Sequence, residues 1–463
     1  MKLSDFSRYA LSICVAAAML AGCGGPQPLT GAPGAMPQSS ASVSMHAPFG
    51  AAGNLRSLAK RNADGEKYPQ APLIDVGGTL YGTTNNGGAF RSPKTCHGGC
   101  GTVFSITTSG VVKVLHSFGN AQDGQYPAQA GLVDVGGTLY GTTSAGGAAG
   151  DGTVFSITTG GVENVLHSFG GQPDGSDPLA ESLIEVGGEL YGTTWSGGAY
   201  GSSDSSSRVC PHLNAPPGCG TVFSITTSGT ERVLHSFGNG DDGQRPGAGL
   251  VHMHGTLYGT TFFGGNQSRC IGEEGIGCGT VFSITTSGAE KVLHRFGKGH
   301  DGRYPQARLL PVHGALYGTT SEGGSYSSNG TVFVITAQGV ERILYRFATQ
   351  GGSSDAAVPD AGLIDVKGTL YGTTYYGGGC QQGTAYSVTT AGVEKVLHAF
   401  CNGIDDGSTP WAGLVVVRGL LYGTTWLGGG HPIHCGHPGH PTGCGTVYSI
   451  TTGGQFNLLY RFH

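Results

Sequence analysis

Residues 138–159 read TLYGTTSAGGAAGDGTVFSITT, and close copies of this stretch return along the whole chain. The phrase LYGTT begins at residues 80, 139, 190, 257, 316, 370 and 421, at spacings of 51 to 67 residues. A repeat period of this length is typical of propellers and of arrays of supersecondary units. The sequence of 463 residues therefore contains one unit copied seven times.

One consensus unit reads AGLVDV-GG-TLYGTT, a loop of variable length, GTVFSITT-SG-VVKVLHSF and a linker with an Asp-Gly pair. Each two-residue turn separates two runs rich in β-branched and aromatic residues, which predicts a β-hairpin. Two hairpins give four strands, named A to D in chain order. Four-stranded units repeated around an axis form a propeller, so we predict an all-β fold, a seven-bladed β-propeller of four-stranded antiparallel blades.

The composition agrees with many strands joined by tight turns, because 88 residues are Gly and only 11% are charged. The formal net charge is −5 and no basic stripe is present. Nucleic acid is therefore not expected as a partner. We expect a monomer without a cofactor.

The first residues have the pattern of an export signal. Lys2 and Arg8 precede ALSICVAAAML, an apolar run too short to span a membrane and typical of a signal h-region. The run ends in LAGC, which resembles a bacterial lipobox and implies that Cys23 carries lipid. The alternative is an ordinary secretory signal cleaved near Ala21. By analogy with lipoprotein sorting, Gly24 in place of Asp implies an outer-membrane lipoprotein, facing the periplasm or the cell surface.

Three segments follow from these patterns. Residues 1–23 form the lipoprotein signal peptide and lipobox, residues 24–53 form a flexible Gly/Pro/Ala/Ser tether, and residues 54–463 form the propeller. Asn54–Leu58 imitates a strand D and precedes Asp64-Gly65, so we expect it to lie beside the first and last blades, where it covers the seam or pairs with an exposed edge. The ring itself is expected to close by packing, with no strand shared between its ends.

The repeated phrases resemble a known family. LYGTTxxGG followed by GTVFSITTxGxxxVLHSF is similar to the GloVer tandem repeat of bacterial proteins with varied surface anchors, over residues 55–463. The order of the four strands also has a looser likeness to kelch repeats. The resemblance implies a propeller fold and anchoring in the cell envelope, and it implies no particular activity.

Length variation falls between strands B and C, so one face of the propeller is predicted to carry function. This B–C/D–A loop face is expected to bind a glycan or another envelope protein. A carbohydrate-active enzyme, either a lyase or a hydrolase, and a purely structural envelope protein are the alternatives. No catalytic residue is assigned, because no enzyme signature is present. Aromatic residues that follow LYGTT are the predicted ligand-binding residues, with packing beneath the loops as the alternative: Trp195, Phe262, Phe263, Tyr375, Tyr376 and Trp426.

Ten cysteines remain after Cys14 and Cys23 are assigned to the signal and the lipid. An even number at local spacings in an exported chain predicts disulfides, with CxnC metal binding as the alternative. The expected pairs are Cys96/Cys100, Cys210/Cys219, Cys270/Cys278, Cys380/Cys401 and Cys435/Cys444.

Metal binding is considered for the His-rich tract and for the His and Asp residues that recur in the repeat. The tract HPIHCGHPGHPTGC is rich in His, and a metal site is one reading of His431, His434, His437 and His440. The His of each VLHSF is instead interpreted as a packing residue with a polar tip. The recurring Asp-Gly pairs are interpreted as turns in which Asp caps its own backbone, with a calcium ring as the alternative.

Overall fold

The computed structural model describes residues 67–90, 96, 98–120, 122–127, 131–178, 183–201, 210, 217–265, 270, 277–324, 329–347, 355–401, 405–430 and 443–462. In this part of the chain the elements are strands and turns, and no helix there is long and apolar enough to cross a membrane. Cys23, Asn54–Leu58 and the four histidines of the His-rich tract lie outside the described residues, and so do the predicted signal and tether.

Seven antiparallel sheets of four strands confirm the predicted propeller. The A strands are Ile74–Val76, Val133–Val135, Ile184–Val186, Val251–Met253, Leu310–Val312, Ile364–Val366 and Val415–Val417. The B strands are Thr79–Thr84, Thr138–Thr143, Glu189–Thr194, Thr256–Thr261, Ala315–Thr320, Thr369–Thr374 and Leu420–Thr425. The C strands are Thr102–Thr107, Thr153–Thr158, Thr221–Thr226, Thr280–Thr285, Thr331–Thr336, Thr384–Thr389 and Thr446–Thr451. The D strands are Val112–Ser117, Glu163–Ser168, Glu231–Ser236, Glu290–Arg295, Glu341–Arg346, Glu394–Ala399 and Phe456–Arg461.

Every sheet runs in the order A, B, C, D. The A strands contact each other in six of the seven pairs of neighbouring blades, including the first and seventh blades, so strand A is innermost. The register of strands C and D shifts by one residue in every blade. A bulge of this kind increases the local twist, which suits the outer edge of a blade.

The LYGTT phrase has a packing reason. A Cβ on Gly141 would lie 2.7 Å from Cζ of Phe155, so only Gly lets the ring of strand C cross strand B here. Phe155 in turn packs edge-on against Phe118 of the previous blade at 5.1 Å between ring centroids. The same contact recurs at every seam, with Tyr386 and Tyr448 replacing the second ring in two of them. Apolar burial between blades therefore comes from the repeated sequence itself.

The two threonines that end LYGTT also have structural roles. The second hydroxyl lies 2.8 Å from the hydroxyl of the first Thr of strand C in all seven blades, as Thr84 and Thr102 illustrate. In some blades the hydroxyl of the first threonine of LYGTT donates to the linker that follows the blade, as Thr193 does to the carbonyl oxygen of Ala248 at 3.1 Å. Paired hydroxyls satisfy each other in a buried ladder.

Short two-stranded sheets join each linker to the next blade. Gly124–Gln125, between strand D of the first blade and strand A of the second, pairs with Ala145–Gly146 after strand B of the second blade. Five further sheets repeat this pairing, and a bridge between Lys67 and Asn86 takes its place before the first blade. D–A linkers and B–C loops therefore lie at the same end of the blades, as predicted.

Four of the predicted disulfides are formed: Cys96–Cys100, Cys210–Cys219, Cys270–Cys278 and Cys380–Cys401. Cys444 is also disulfide-bonded, and its predicted partner Cys435 lies outside the described residues. The bridge from Cys380 to Cys401 joins a B–C loop to the end of strand D, because C and D are neighbouring strands.

Candidate binding face

One residue in each linker has a left-handed backbone and directly precedes a proline. These residues are Tyr68, Tyr126, Asp177, Arg245, Tyr304, Val358 and Thr409, with φ between 50° and 62°. Positive φ is uncommon outside Gly and is a clear outlier for β-branched residues, of which Val358 and Thr409 are examples. Such strain persists only where surrounding structure over-determines the conformation. We call these seven positions the linker ring.

Hydrogen bonds to both neighbouring blades hold the linker ring. The amide of Tyr126 donates to the carbonyl oxygen of Cys100 in the first blade at 2.8 Å. Its own carbonyl oxygen accepts from the amide of Ser144 in the second blade at 3.1 Å. The other six positions make the same two bonds. Each linker therefore joins one blade to the next, and the left-handed conformation is the one that reaches both.

The first group of loop-face aromatics lies in blades three to five. The rings of Trp195 and Phe262 are 5.7 Å apart, and Phe262 stacks on Tyr304 at 5.0 Å. Phe263 contacts both Phe262 and Tyr304. The guanidinium of Arg245 lies 5.9 Å from the ring of Trp195, within reach of a cation–π contact. We call this set the first aromatic cluster.

A second aromatic cluster lies where blades six, seven and one meet. Tyr375 and Trp411 are 5.1 Å apart, and Trp411 is 5.9 Å from Trp426. Tyr376 packs on Tyr375 at 4.5 Å, and Tyr68 contacts Trp426 at 6.3 Å. These rings converge from two linkers and two B–C loops, so tertiary structure rather than local sequence brings them together.

The six predicted ligand-binding residues divide by burial. Phe263, Tyr375 and Trp426 are no more than 7% exposed and pack under the loops. Trp195, Phe262 and Tyr376 are partly exposed. The structure adds Trp411 and Tyr68, both partly exposed, which the sequence analysis did not select. Both residues lie next to the proline of a linker, and this position in the sequence could have identified them.

Two buried residues of opposite charge lie beneath the first aromatic cluster. Asp177 and Arg245 are 8% and 2% exposed, and burial raises the pKa of Asp177 to about 7. Burial also lowers the pKa of Arg245 to about 10, although Asp177 opposes that shift. Arg245 donates to the carbonyl oxygen of Trp195 at 3.4 Å and to the hydroxyl of Ser196. The guanidinium therefore anchors the loop that carries Trp195.

Polar groups without a repeat pattern lie between blades four and six. Gln306 donates its side-chain amide to Asp360 at 2.5 Å, and Arg303 pairs with Glu322 at 3.2 Å. Burial raises the pKa of Asp360 to about 7, the Gln306 bond opposes this, and the charge of Glu322 adds to it. A carboxyl group with such a pKa can exchange a proton near neutral pH.

The repeated histidines pack as predicted. His116 meets the ring of Phe118 edge-on at 4.7 Å, and its Nε2 lies 2.9 Å from Oδ2 of Asp123. The Asp-Gly pairs also behave as predicted, since Oδ1 of Asp174 accepts from the amide of Gly175 at 2.7 Å. The sequence analysis did not select the glutamates that begin strand D and approach these His–Asp pairs.

Comparison with known proteins agrees with this geometry. The Gloeobacter/Verrucomicrobia repeat matches residues 48–205 and 213–437. The chain belongs to this family. No curated protein matches the sequence.

Solved structures resemble this Gloeobacter/Verrucomicrobia repeat protein only in fold. A puromycin hydrolase is 12% identical with a TM-score of 0.50, over 87% of this chain and 55% of that one. A Mycobacterium tuberculosis puromycin-hydrolyzing peptidase is 12% identical with a TM-score of 0.50, over 85% and 54%. Virginiamycin B lyase from Staphylococcus aureus is 13% identical with a TM-score of 0.47, over 78% and 92%. The repeat protein thus spans about half the length of the first two.

Proposed function

We propose that this repeat protein is an exported, lipid-anchored propeller that binds glycans through its loop face. The observation that carries the proposal is the pair of aromatic clusters, each with partly exposed rings beside buried ones. Sugar rings present apolar C–H faces that pack on aromatic rings. Buried neighbours hold the exposed rings in place, so little conformational entropy is lost when a ligand binds.

Rigid support strengthens the proposal. The linker ring fixes the backbone on both sides of Trp195, whose amide donates to the carbonyl oxygen of Asp177 at 3.0 Å. A Cβ on Gly247 would lie 3.0 Å from the ring of Trp195, so Gly at this linker position leaves room for the indole. Sites on rigid elements orient ligands more sharply than sites on loose loops.

A glycan array on the soluble protein lacking residues 1–23 tests the binding. We expect Trp195→Ala and Phe262→Ala each to weaken binding about two- to tenfold, since an aromatic contact contributes about 0.5–1.5 kcal/mol. Val162→Ala, at a 64% exposed C–D turn on the opposite face, is the matched control and should bind as the parent does. Absence of glycan binding, or equal losses in all three variants, would contradict the proposal and favour an envelope-protein partner or a structural role.

Lipid anchoring is a separate part of the proposal, supported by the lipobox-like LAGC and by the disulfides of an exported chain. Cys23→Ala should abolish labelling by a fatty-acid probe and release the protein from the membrane fraction. Ser4→Ala, in the same leader, should leave labelling unchanged. Labelling that survives Cys23→Ala would overturn the lipoprotein assignment.

Asp360 favours a second candidate function, a carbohydrate-active lyase or hydrolase on the same face. Its carboxyl is not repeated at the corresponding linker positions Gln70, Gly247, Gln306 and Trp411, and its raised pKa suits a general acid or base. The parent protein should then cleave the glycans that it binds. Asp360→Asn should still bind these glycans but should form no cleavage products. Asp365→Asn, in a nearby A strand, is the control. Bound glycans that remain intact would remove this candidate.

A further inference from the structure

Among the described residues, four seams between blades bring together one His, one Asp and one Glu. The His comes from strand D, the Asp from the following linker, and the Glu from the start of strand D in the next blade. One potential ligand atom from each residue lies within 4.8 Å of the other two. The clusters are His116/Asp123/Glu163, His167/Asp174/Glu231, His235/Asp242/Glu290 and His294/Asp301/Glu341.

Each cluster is already ordered by hydrogen bonds. The Nε2 atoms of His116, His167, His235 and His294 lie 2.9, 3.1, 2.9 and 3.0 Å from their aspartates. The histidine side chains are about one-fifth exposed, at 20 to 22%. The His and Asp side chains are therefore held in place by each other, and the histidines remain partly open to solvent.

The glutamates carry an unmet bonding capacity. Oε1 of Glu163, Glu231, Glu290 and Glu341 is buried and has no hydrogen-bond partner among the described residues. In the first cluster Oδ1 of Asp123 has none either. Buried acceptors without partners are costly, and a bound cation is one way to satisfy them.

The remaining seams show what happens when one donor is replaced. The fifth seam has Tyr345 in place of His, beside Asp355 and Glu394. In the sixth, Phe456 replaces Glu and stacks on His398 at 4.1 Å, so the His398–Asp406 pair has no carboxylate from the next blade beside it. The complete donor set is thus a property of four seams and not a requirement of the blade.

Solvent reaches the first cluster through a cavity of about 300 Å³. His116, Asp123 and Glu163 line it, together with Gln122 and Ser168. This volume leaves room for an ion and several waters, whose share of liquid volume is about 30 Å³ each.

We propose that the four His–Asp–Glu seams each bind a divalent transition-metal ion, of the Zn²⁺ or Mn²⁺ class. One imidazole nitrogen and two carboxylates form a donor set that suits these ions, with water completing the coordination. The ion would take the place of the His–Asp hydrogen bond and engage the unpartnered Glu oxygen. Because His and Glu come from neighbouring blades, it would also clamp one blade to the next.

Equilibrium dialysis of the purified full chain against Zn²⁺, and separately Mn²⁺, followed by metal analysis, tests the proposal. All variants carry His431→Ala, His434→Ala, His437→Ala and His440→Ala, so that the His-rich tract does not contribute. We expect four ions per chain in this background and three after Glu163→Gln. Glu394→Gln, at the seam that has Tyr345, is the matched control and should retain four.

Tyr345→His should complete the fifth cluster and raise the count from four to five. This gain does not depend on whether Glu163→Gln folds, and circular dichroism checks folding in each variant. A visible Co²⁺ absorption that scales with the count would identify the nitrogen and oxygen ligands. No bound metal, as expected if the clusters hold only a shared proton, or a count that does not change among the variants, would overturn the proposal.

Discussion

The amide of Tyr68 donates to the carbonyl oxygen of Cys444 at 2.8 Å, and this bond joins the two ends of the described chain. The carbonyl oxygen of Tyr68 accepts from Asn85 in the first blade at 3.0 Å. Pro69 packs on Gly445, where a Cβ would lie 2.8 Å from its Cδ. The ring thus closes with no shared strand, as predicted, but through a linker and not by packing alone.

Removing that linker should weaken closure. A chain that begins at residue 70 lacks Lys67, Tyr68 and Pro69, and we expect it to lose about 3–6 kcal/mol of unfolding free energy from four backbone hydrogen bonds and the contact with Trp426. A chain that begins at residue 61 keeps Tyr68 and is the control. Denaturant unfolding measures both, and equal stability of the two chains would contradict the closure role. The step from the full chain to residue 61 tests the predicted contribution of Asn54–Leu58.

The strained backbone of Val358 predicts which of two substitutions, Gly or Ala, gives the more stable protein. At an ordinary position, Gly is less stable than Ala because the unfolded chain gains freedom. At φ 59° the order should reverse, so Val358→Gly should be more stable than Val358→Ala by about 1 kcal/mol. Val340, in a 67% exposed C–D turn, is the matched control and should show the ordinary order. Thermal unfolding of the four variants decides, and an unreversed order at Val358 would remove the strain argument.

Tyr386 buries a hydroxyl that has no hydrogen-bond partner among the described residues. Five other blades have Phe at this position, as Phe155 illustrates. Tyr386→Phe should therefore raise the unfolding free energy by about 1 kcal/mol, because the desolvated hydroxyl is removed. Tyr448→Phe should act in the same direction. Calorimetry would measure a higher melting temperature for each, and a lower one would mean that the hydroxyl has a partner.

Glu394 should make stability depend on pH. Burial, with Asp355, raises its pKa from 4.5 to about 7, so the folded state holds the proton more tightly than the unfolded state. This contribution is present below about pH 4.5 and is lost as the pH rises through 7. Between pH 5 and pH 8 the parent should lose unfolding free energy, and Glu394→Gln should lose about 1–2 kcal/mol less than the parent, after allowance for solvent exposure. Val340→Ala, in an exposed C–D turn, is the control and should keep the parent's dependence on pH.

Local sequence was sufficient for the blade. The hairpins around GG and SG, the loop face and the pair Cys380–Cys401 were all predictable, because each depends on residues close in sequence or on strands known to be neighbours. The linker ring was not predicted, since nothing in the residue types of Val358 or Thr409 favours a left-handed backbone. That conformation follows from hydrogen bonds to two different blades.

The sequence by itself determined the repeat, the number of blades, the strand order and the candidate face, because hydrophobic alternation and turn chemistry act within one unit. Tertiary structure alone decided which units meet. His116 and Asp123 belong to one blade and its linker, but Glu163 reaches them only because the next blade packs alongside. Trp411 likewise joins Tyr375 and Trp426 across a seam. Contacts between blades depend on ring closure, which no single unit specifies.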